Sequence, residues 1–421
     1  MEEKVNELTN VRKLATIARI LKIEAIPDAD NIETVYVRGW QCVAKKGEFK
    51  VDDLCVYAEV DSVFPDGLAP EKALEWKALQ KELSKAATED DKIRIKAAME
   101  QISKLNMIPQ FEFLRGSKFR IKTKRIFGEI SQGICFPISI ILDSLLHRIP
   151  EYPSKDIPHD KLFKEDDDIT DILSVTQYVP PDPAIMGGDA KGDMQNVGLL
   201  ISDEERIENL SGKYEILKQF KYYKTEKLDG TSFTAYIKNG VFGVTGRTIE
   251  FKVPEDTAPI DTLNVYWKMA KKLDLENKIR TELTWHESEG LKNVAFQGEL
   301  VGEGIQSNLY KLKGQTVCFY NAWDIDKQEY IDFETFLKMI EDMELKTVPI
   351  LDVYYELPEK AIDLLIEADK TTSVFGNNPK QLIEGFVYVA HEFPKGTKVT
   401  RSSFNRLSFK AKSRTFDMKR E

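Results

Sequence analysis

Cysteine is scarce in this chain. Four occur in 421 residues (Cys42, Cys55, Cys135 and Cys318), far apart and each inside an apolar, strand-like run. None belongs to a CxxC pair, so neither a zinc site nor a disulfide framework is indicated, and reduced core thiols are expected. Histidine is as rare, with His147, His159, His286 and His391 scattered and no HxxxH spacing. Neither a histidine metal site nor a histidine-centred nucleophile relay can be read from them. No apolar run approaches the ~18 residues of a membrane span. The start, Met1-Glu2-Glu3-Lys4, lacks the cationic and apolar stretches of a secretion signal. A soluble, cytoplasmic protein is the expectation.

What is present is ordinary globular material, 42% apolar and 31% charged, in a chain long enough for two domains. The net charge of −10 looks wrong for a nucleic-acid binder. Local concentration matters more than the total, however. Arg115 to Arg125 holds six cations in eleven positions. The tail from Arg401 onward adds Arg406, Lys410, Lys412, Arg414, Lys419 and Arg420. A solvated basic surface is the plain reading of either segment alone.

The first ~65 residues read as short strands, Lys13–Leu21, Thr34–Val37, Cys42–Ala44 and Leu54–Ala58, punctuated by Gly39, Gly47 and Asp52-Asp53. Such spacing suggests a small β-barrel. From Pro70 to Leu105 glycine is absent, and Leu79, Leu83 and Ala86, then Ile95, Met99 and Ile102, recur at helical spacing. Thr88-Glu89-Asp90-Asp91 offers a turn and an N-cap between them, so an inserted helical hairpin is expected. In Lys118-Phe119-Arg120-Ile121-Lys122-Thr123-Lys124 a strand would put all four cations on one face, which suits phosphate contact. Pro153, Pro158, Pro180, Pro181, Pro183, Gly187 and Gly188 mark a linker around Val179–Asn196. Beyond it the pattern is mixed, with helices expected at about Leu263–Leu273 and Glu334–Met343 and an abrupt end after a basic strand.

Lys227-Leu228-Asp229-Gly230 stands between two strand-like stretches, Tyr222-Tyr223 and Ser232–Ile237. Alone, a KxDG match arises by chance in roughly one chain in ten of this length, and a turn explains it. Five more segments follow in order. They are Thr245-Gly246-Arg247, Gln297-Gly298-Glu299-Leu300-Val301-Gly302, Phe319-Tyr320-Asn321-Ala322-Trp323-Asp324, Glu384-Gly385-Phe386-Val387 and Ser408-Phe409-Lys410-Ala411-Lys412. The ordered set resembles the motifs of covalent nucleotidyltransferases: DNA and RNA ligases and the mRNA capping guanylyltransferases.

The chemistry of such enzymes accounts for the residue types. A lysine amine attacks only when neutral, against an ordinary pKa of ~10.4, and nearby cations disfavour its charged form. Attack on an α-phosphorus gathers negative charge that positive groups must meet. Lys410 and Lys412, two apart on a strand, suit a two-pronged phosphate clamp. Asp229, Glu299 and Glu384 are hard oxygen donors for a hydrated Mg2+ or Mn2+. By the resemblance, Lys227 carries AMP from ATP, with Lys410 and Lys412 as its catalytic partners. Arg247 contacts ribose or the nucleic-acid end, Glu299 contacts ribose, Tyr320 stacks on adenine, and Glu226, Asp229 and Glu384 complete the nucleotide site. Trp323 packs in the core.

Domain order narrows the resemblance. DNA ligases and capping enzymes carry an oligonucleotide-binding (OB) barrel after the lysine domain, whereas here the chain stops nine residues after Lys412 and the barrel-like region comes first. This arrangement resembles a clade of RNA ligases with an amino-terminal OB domain. Gly39-Trp40-Gln41-Cys42-Val43, Lys45–Lys50, Tyr57–Ser62, Phe119–Thr123, Ser131-Gln132-Gly133, Tyr178–Pro183 and Asp203-Glu204-Glu205-Arg206 carry it further. The helical insert departs from the pattern.

The implied fold class is α+β. An OB-like β-barrel spans residues 1–178 with an insert at about 68–109. A linker spans 179–196, and 197–421 form a mixed α/β nucleotidyltransferase (adenylyltransferase) domain of antiparallel sheets and flanking helices. The implied activity is ATP-dependent sealing of 3′-hydroxyl/5′-phosphate breaks, above all nicks in duplexes with RNA on the 3′-hydroxyl side. A monomer is expected, with Lys118, Arg120, Lys122 and Lys124 gripping nucleic acid. Two alternatives stay open: a capping-type guanylyltransferase using GTP, and a non-catalytic RNA-end binding protein.

Overall fold

A computed structural model describes residues 12–86, 88–105, 108–141, 162–179, 188–255, 257–286, 288, 290–393 and 405–420. The linker prolines 180, 181 and 183, with Pro153, Pro158, His147, His159 and Arg401, lie outside these residues. The chain divides into two compact units, Arg12–Val179 and a second from residue 180 onward.

In the first unit, five antiparallel strands lie in the order Trp40–Lys45, Ile32–Val37, Ala15–Ala25, Leu54–Ala58, Ile134–Pro137. The long strand Ala15–Ala25 makes the sheet curl. Its first half pairs with Leu54–Ala58, its second with Ile32–Val37, and a bulge at Ile20–Lys22 sits where it changes partner. One face buries Ile20, Val35, Trp40, Tyr57, Cys42, Cys55 and Cys135. The other packs Ile17, Val56 and Phe136 under Phe64, Phe111 and Phe119. All four cysteines are free and buried, as their apolar surroundings led us to expect.

The insert is a pair of helices, Pro70–Leu83 and Glu89–Ser103. Proline opens the first, and Thr88 caps the second by accepting the Asp91 N–H at 3.1 Å. Its Ile95 and Ile102 are buried.

The basic segment differs from the expected strand. Lys118 and Phe119 take left-handed φ values of 55° and 61°, and regular strand begins only at Lys124–Ile126. Burial still alternates, with Phe119, Ile121 and Thr123 inward. Two of the cations are internal struts. Arg115 is buried against Asp66 and Glu112, at 3.0 and 2.5 Å. Arg120 bonds Asp61 at 2.6 Å and lies over the Tyr178 ring. A planar guanidinium with five donors can serve a fold in this way, and residue counting alone cannot see it.

The second unit is built on two antiparallel sheets. The larger has the order Ala190–Asp193, Ile249–Phe251, Val241–Thr245, Thr231–Lys238, Val294–Gly302, Gln315–Asp324, Glu329–Tyr330. The smaller has Ile350–Tyr355, Tyr222–Lys227, Gly385–Ala390, Ser408–Lys412. Helices Val265–Lys272, Leu275–Trp285 and Phe333–Asp342 bury Tyr266, Ile279 and Phe336 against the larger sheet. Asn264 and Asp332 cap the first and third of these helices. Helix Ala361–Lys370 covers the smaller sheet through Leu364 and Leu365. The chain does not end on the basic strand, because a helix, Arg414–Arg420, follows it. At seven residues it is too short to show a period in sequence.

Gly133 tests the barrel's tightest approach. Its φ is +87°, and a Cβ there would stand 2.6 Å from the Ala58 carbonyl and the Tyr57 ring. Gly133→Ala should cost about 2–4 kcal/mol, from overpacking together with a left-handed alanine. At Gly47, with φ +75° but open space around it, only the smaller backbone cost of about 1–2 kcal/mol remains. Urea denaturation of both variants checks the difference, and equal losses would contradict the packing argument.

Candidate functional site

Lys227 is the last residue of the strand Tyr222–Lys227, and its position follows from strand register. It pairs with Gly385, which in turn pairs with Lys412 on the next strand. Residues 158 and 185 positions away from Lys227 are therefore brought level with it across three strands. Gly385 permits the approach, since a Cβ there would lie 2.3 Å from the Ala411 carbonyl. Gly230 has the same role in the turn, where a Cβ would stand 2.3 Å from the Leu300 carbonyl. The glycine of the KxDG segment is thus required by the larger sheet passing behind it. Leu228 anchors the turn among Val301, Tyr310 and Val348, and the Asp229 N–H donates to Tyr310 Oη at 2.6 Å.

The charges alternate through the site. Lys227 Nζ donates to Glu384 Oε2 at 2.8 Å. Glu384 Oε1 lies 3.3 Å from Lys412, Lys412 is 2.8 Å from Asp417, and Asp417 accepts from Arg206 at 3.0 Å. A second branch joins Lys410 to Asp203 at 2.5 Å, with Arg247 4.0 Å from the same carboxylate. Burial alone would raise the Glu384 carboxyl, but Lys227 and Lys412 outweigh it and hold it below its ordinary value. Asp417 is likewise lowered against its burial by Lys412 and Arg206. Lys410 goes the other way. Burial, with the charge of Lys227 beside it, lowers it to about 8 despite Asp203.

Glu299 lies on the strand Val294–Gly302 and is half-buried. Burial leads in pushing it up to about 7, the Glu384 charge adds to this, and Lys227 and Arg247 offset only part. Tyr320 is half-buried at a bulge in the strand Gln315–Asp324, beside the Leu228 cluster and close enough to feel the Glu299 charge. Trp323 is buried and donates to the Gly198 carbonyl at 3.2 Å. Glu226 points away from Lys227's partners, its carboxylate accepting from Ser373 Oγ at 2.5 Å and the Val374 N–H at 3.1 Å.

Lys227, Glu299, Glu384, Lys410 and Lys412 are therefore brought together, with Arg247, Tyr320, Glu226 and Asp229 around them. Lys118, Arg120, Lys122 and Lys124 belong to the other compact unit. Among the described residues no three His, Cys, Asp or Glu side chains converge into a ready metal cage. The donor set suits a hydrated ion bound through one or two carboxylates, the usual habit of Mg2+. Three participants escaped the motif reading. Asp203 and Arg206 sit in a segment noted only for its similarity, and Asp417 lies on the unforeseen helix. Every cation of the basic tail from Arg406 to Arg414 proves to be paired, Arg406 with Glu204 and Arg414 with Asp369, both at 2.6 Å.

Two antiparallel sheets with a lysine at the inner end of one of them form the architecture of a nucleotidyltransferase domain. Comparison with known proteins makes the assignment narrower. The family model described as an OB-fold domain matches residues 14–105, and that described as RNA ligase matches residues 220–412. No curated protein matches the chain. Among solved structures, a mutant of Naegleria gruberi RNA ligase in apo form is 30% identical, with a TM-score of 0.67, covering 97% of this chain and 98% of that one. A mutant of the same ligase with ATP and Mn is 29% identical, with a TM-score of 0.67 and coverage of 97% and 100%. The form with PPi is 30% identical, with a TM-score of 0.66 and coverage of 96% and 98%. The chain belongs to the RNA ligase family, in the branch with an amino-terminal OB fold. Among its described residues no helix is long and apolar enough to cross a membrane.

Two stability measurements test these electrostatics. Between its ordinary value of 4.5 and its folded value of about 7, Glu299 keeps a proton that the unfolded chain has released. Folding stability should therefore fall as pH rises through this window, by about 1–2 kcal/mol after allowance for partial exposure. Glu299→Gln should flatten that decline in urea titrations without metal or nucleotide. Glu384 and Asp417 have the opposite sign, contributing stability above the ordinary carboxylate range that is lost as pH falls through their lowered folded values. Asp417→Asn should cost about 3 kcal/mol at neutral pH, because it removes the carboxylate shared by Lys412 and Arg206 in a buried site and leaves them only Glu384 at 3.3 Å and Glu208 at 3.6 Å. A loss below about 1 kcal/mol would contradict the pairing scheme.

Proposed function

We propose that this protein is an ATP-dependent RNA ligase working through a lysyl-AMP intermediate on Lys227. The observation that carries the reading is the meeting of Lys227 with Glu384 and Lys412 at one level of three strands, beside Glu299 and Lys410. Lys227 Nζ, once deprotonated, attacks the ATP α-phosphorus. A P–N bond forms as the bond to the bridging oxygen breaks and pyrophosphate leaves. A 5′-phosphate oxygen of RNA then attacks the same phosphorus and frees the lysine. Finally a 3′-hydroxyl attacks the activated 5′-phosphate and expels AMP, closing the phosphodiester. All three steps are in-line phosphoryl transfers, in which positioning and charge stabilisation dominate.

Lys410 and Lys412 meet the charge that develops on the α-phosphoryl oxygens. Lys410, lowered to about 8 by burial and the Lys227 charge, would be drawn back toward its ordinary value by a bound phosphate. Asp229, Glu299 and Glu384 would hold Mg2+ or Mn2+, which as a Lewis acid neutralises phosphoryl charge. Arg247 and Glu299 take the ribose, and Tyr320 offers its ring to the base. Glu226, whose carboxylate Ser373 and Val374 already engage, would meet the base only through its remaining lone pairs, which suit the exocyclic amine of adenine better than a carbonyl. A similar ligase solved with ATP and Mn supports the choice of donor and metal. The preferred substrate is a nicked duplex with RNA at the 3′-hydroxyl side. Lys118, Lys122 and Lys124 grip its backbone while Arg120 braces their segment.

Incubation with labelled ATP or GTP, in the wild type and in Lys227→Ala, tests the central step. ATP alone should label the wild type, and Lys227→Ala should take no label. Label from GTP would favour the capping-type alternative, and sealing that survives Lys227→Ala would sink the intermediate. For the barrel segment, reversing Lys118, Lys122 and Lys124 should weaken nick binding about tenfold or more near physiological salt while self-adenylylation continues. Unchanged binding would refute that role.

A further inference from the structure

Two loops outside the sheets close on the Lys227 turn, and each is bonded to it. In the loop at residues 303–314, Gln306 Nε2 donates to the Gly230 carbonyl at 3.1 Å, and Tyr310 Oη accepts the Asp229 N–H at 2.6 Å. In the loop at residues 373–380, Ser373 and Val374 hold the Glu226 carboxylate at 2.5 and 3.1 Å. The loops also brace each other. The Asn377 N–H donates to the Tyr310 carbonyl at 2.8 Å, and Asn378 Nδ2 donates to the Leu309 carbonyl at 3.0 Å. Gly376 lies so near Tyr310 that a Cβ would be 2.6 Å from it.

This rim is costly to build. Gln306 and Lys311 hold left-handed φ values of 46° and 50°, which such side chains seldom adopt without constraint, while Asn308, at 43°, tolerates that region better. Its outer residues are charged in one sense. Lys311, Lys313 and Lys380 are exposed, and none has an ion-pair partner among the described residues. The contrast with the neighbouring site is sharp, because Lys410, Lys412, Arg406 and Arg414 are all neutralised by carboxylates. Unpaired cations on a braced surface next to a phosphate-transfer centre suit a polyanion that arrives from outside.

We propose that this two-loop rim is an RNA-docking surface, on which Lys311, Lys313 and Lys380 take backbone phosphates of the strand whose 5′-phosphate receives AMP. It deepens the ligase reading and rests on it for the identity of the strand. Contacts of this kind position the strand without reading its sequence. The braces to Asp229, Gly230 and Glu226 couple that position to the nucleophile.

The test compares the triple variant K311E/K313E/K380E with a charge-matched control, K77E/K81E/K85E, on the exposed helical hairpin. Fluorescence anisotropy with a 5′-phosphorylated nicked RNA duplex is read from 50 to 200 mM salt. The rim variant should lose about tenfold or more in affinity, and its log–log salt slope should shrink by about two to three, as expected for three lost phosphate contacts. The control should bind as the wild type does. K311A/K313A/K380A, which introduces no new charge, should show the same slope change. Melting temperature and lysyl-AMP formation show whether the fold and the nucleotide site survive. Equal binding by rim variant and wild type, or an equal loss in the control, would overturn the proposal. A wild type that binds nicked RNA but takes no label from ATP would instead count against the lysyl-AMP reading, while the anisotropy comparison still decides the rim.

Discussion

The ion pair between Lys227 and Glu384 depends on three strands being in register, and most of the second unit is arranged around that condition. Lys227, Gly385 and Lys412 sit side by side, so the glutamate just before one strand reaches the lysine ending another. Four cations and three carboxylates are packed into this region, which would be prohibitive if any were left alone. They are tolerable because each is paired. Lys227 is answered by Glu384, Lys412 by Glu384 and Asp417, Arg206 by Asp417, and Lys410 by Asp203. The carboxylates also keep the cations apart in the free protein.

This pairing changes the meaning of the basic carboxyl-terminal tail. In a list of residues it looks like a surface stripe for nucleic acid. In the folded chain its cations from Arg406 to Arg414 are internal, each facing a particular acid on another element. The same holds in part for the basic segment of the barrel unit, where Arg115 and Arg120 serve the local structure. Exposed cations with no ion-pair partner among the described residues lie elsewhere, on Lys118 and Lys124 of that unit and on Lys311, Lys313 and Lys380 of the other. Density of charge in sequence is therefore a poor guide to charge available at the surface.

The strands and helices that could be read in advance were those whose burial has a period. The barrel strands, the helical pair with its Thr88 cap, and the helices near 265 and 333 have apolar residues at strand or helix spacing. The capping side chains Asn264 and Asp332 stand where the polypeptide leaves a loop. Helix Leu275–Trp285 escaped notice because only Leu273 and Asp274 separate it from the helix before, and Asp274 takes a left-handed conformation. Lys118 to Lys124 alternates in burial without a regular strand, since Lys118 and Phe119 take left-handed turn conformations and Arg120 makes only an isolated bridge, to Val63. Alternation of side chains was legible there, but the backbone that produces it was not.

The sequence by itself determined the cast of the site. Lysine, paired lysines, carboxylates and arginine occur in an order that resembles ligases, and the glycines at 230 and 385 mark where backbones must pass closely. It also determined the order of the two units, because a barrel pattern precedes the lysine segment. Only the tertiary structure decided which charges are paired and which are open, since pairing depends on elements up to about two hundred residues apart meeting across strands. It brought Asp417 and Arg206 behind Lys412. It set Tyr320 on a bulge beside Glu299, and it tied two strained loops to the Lys227 turn. Local pattern reports which face of an element is buried, whereas the partner on the other side of that face is set by the register and packing of the whole domain.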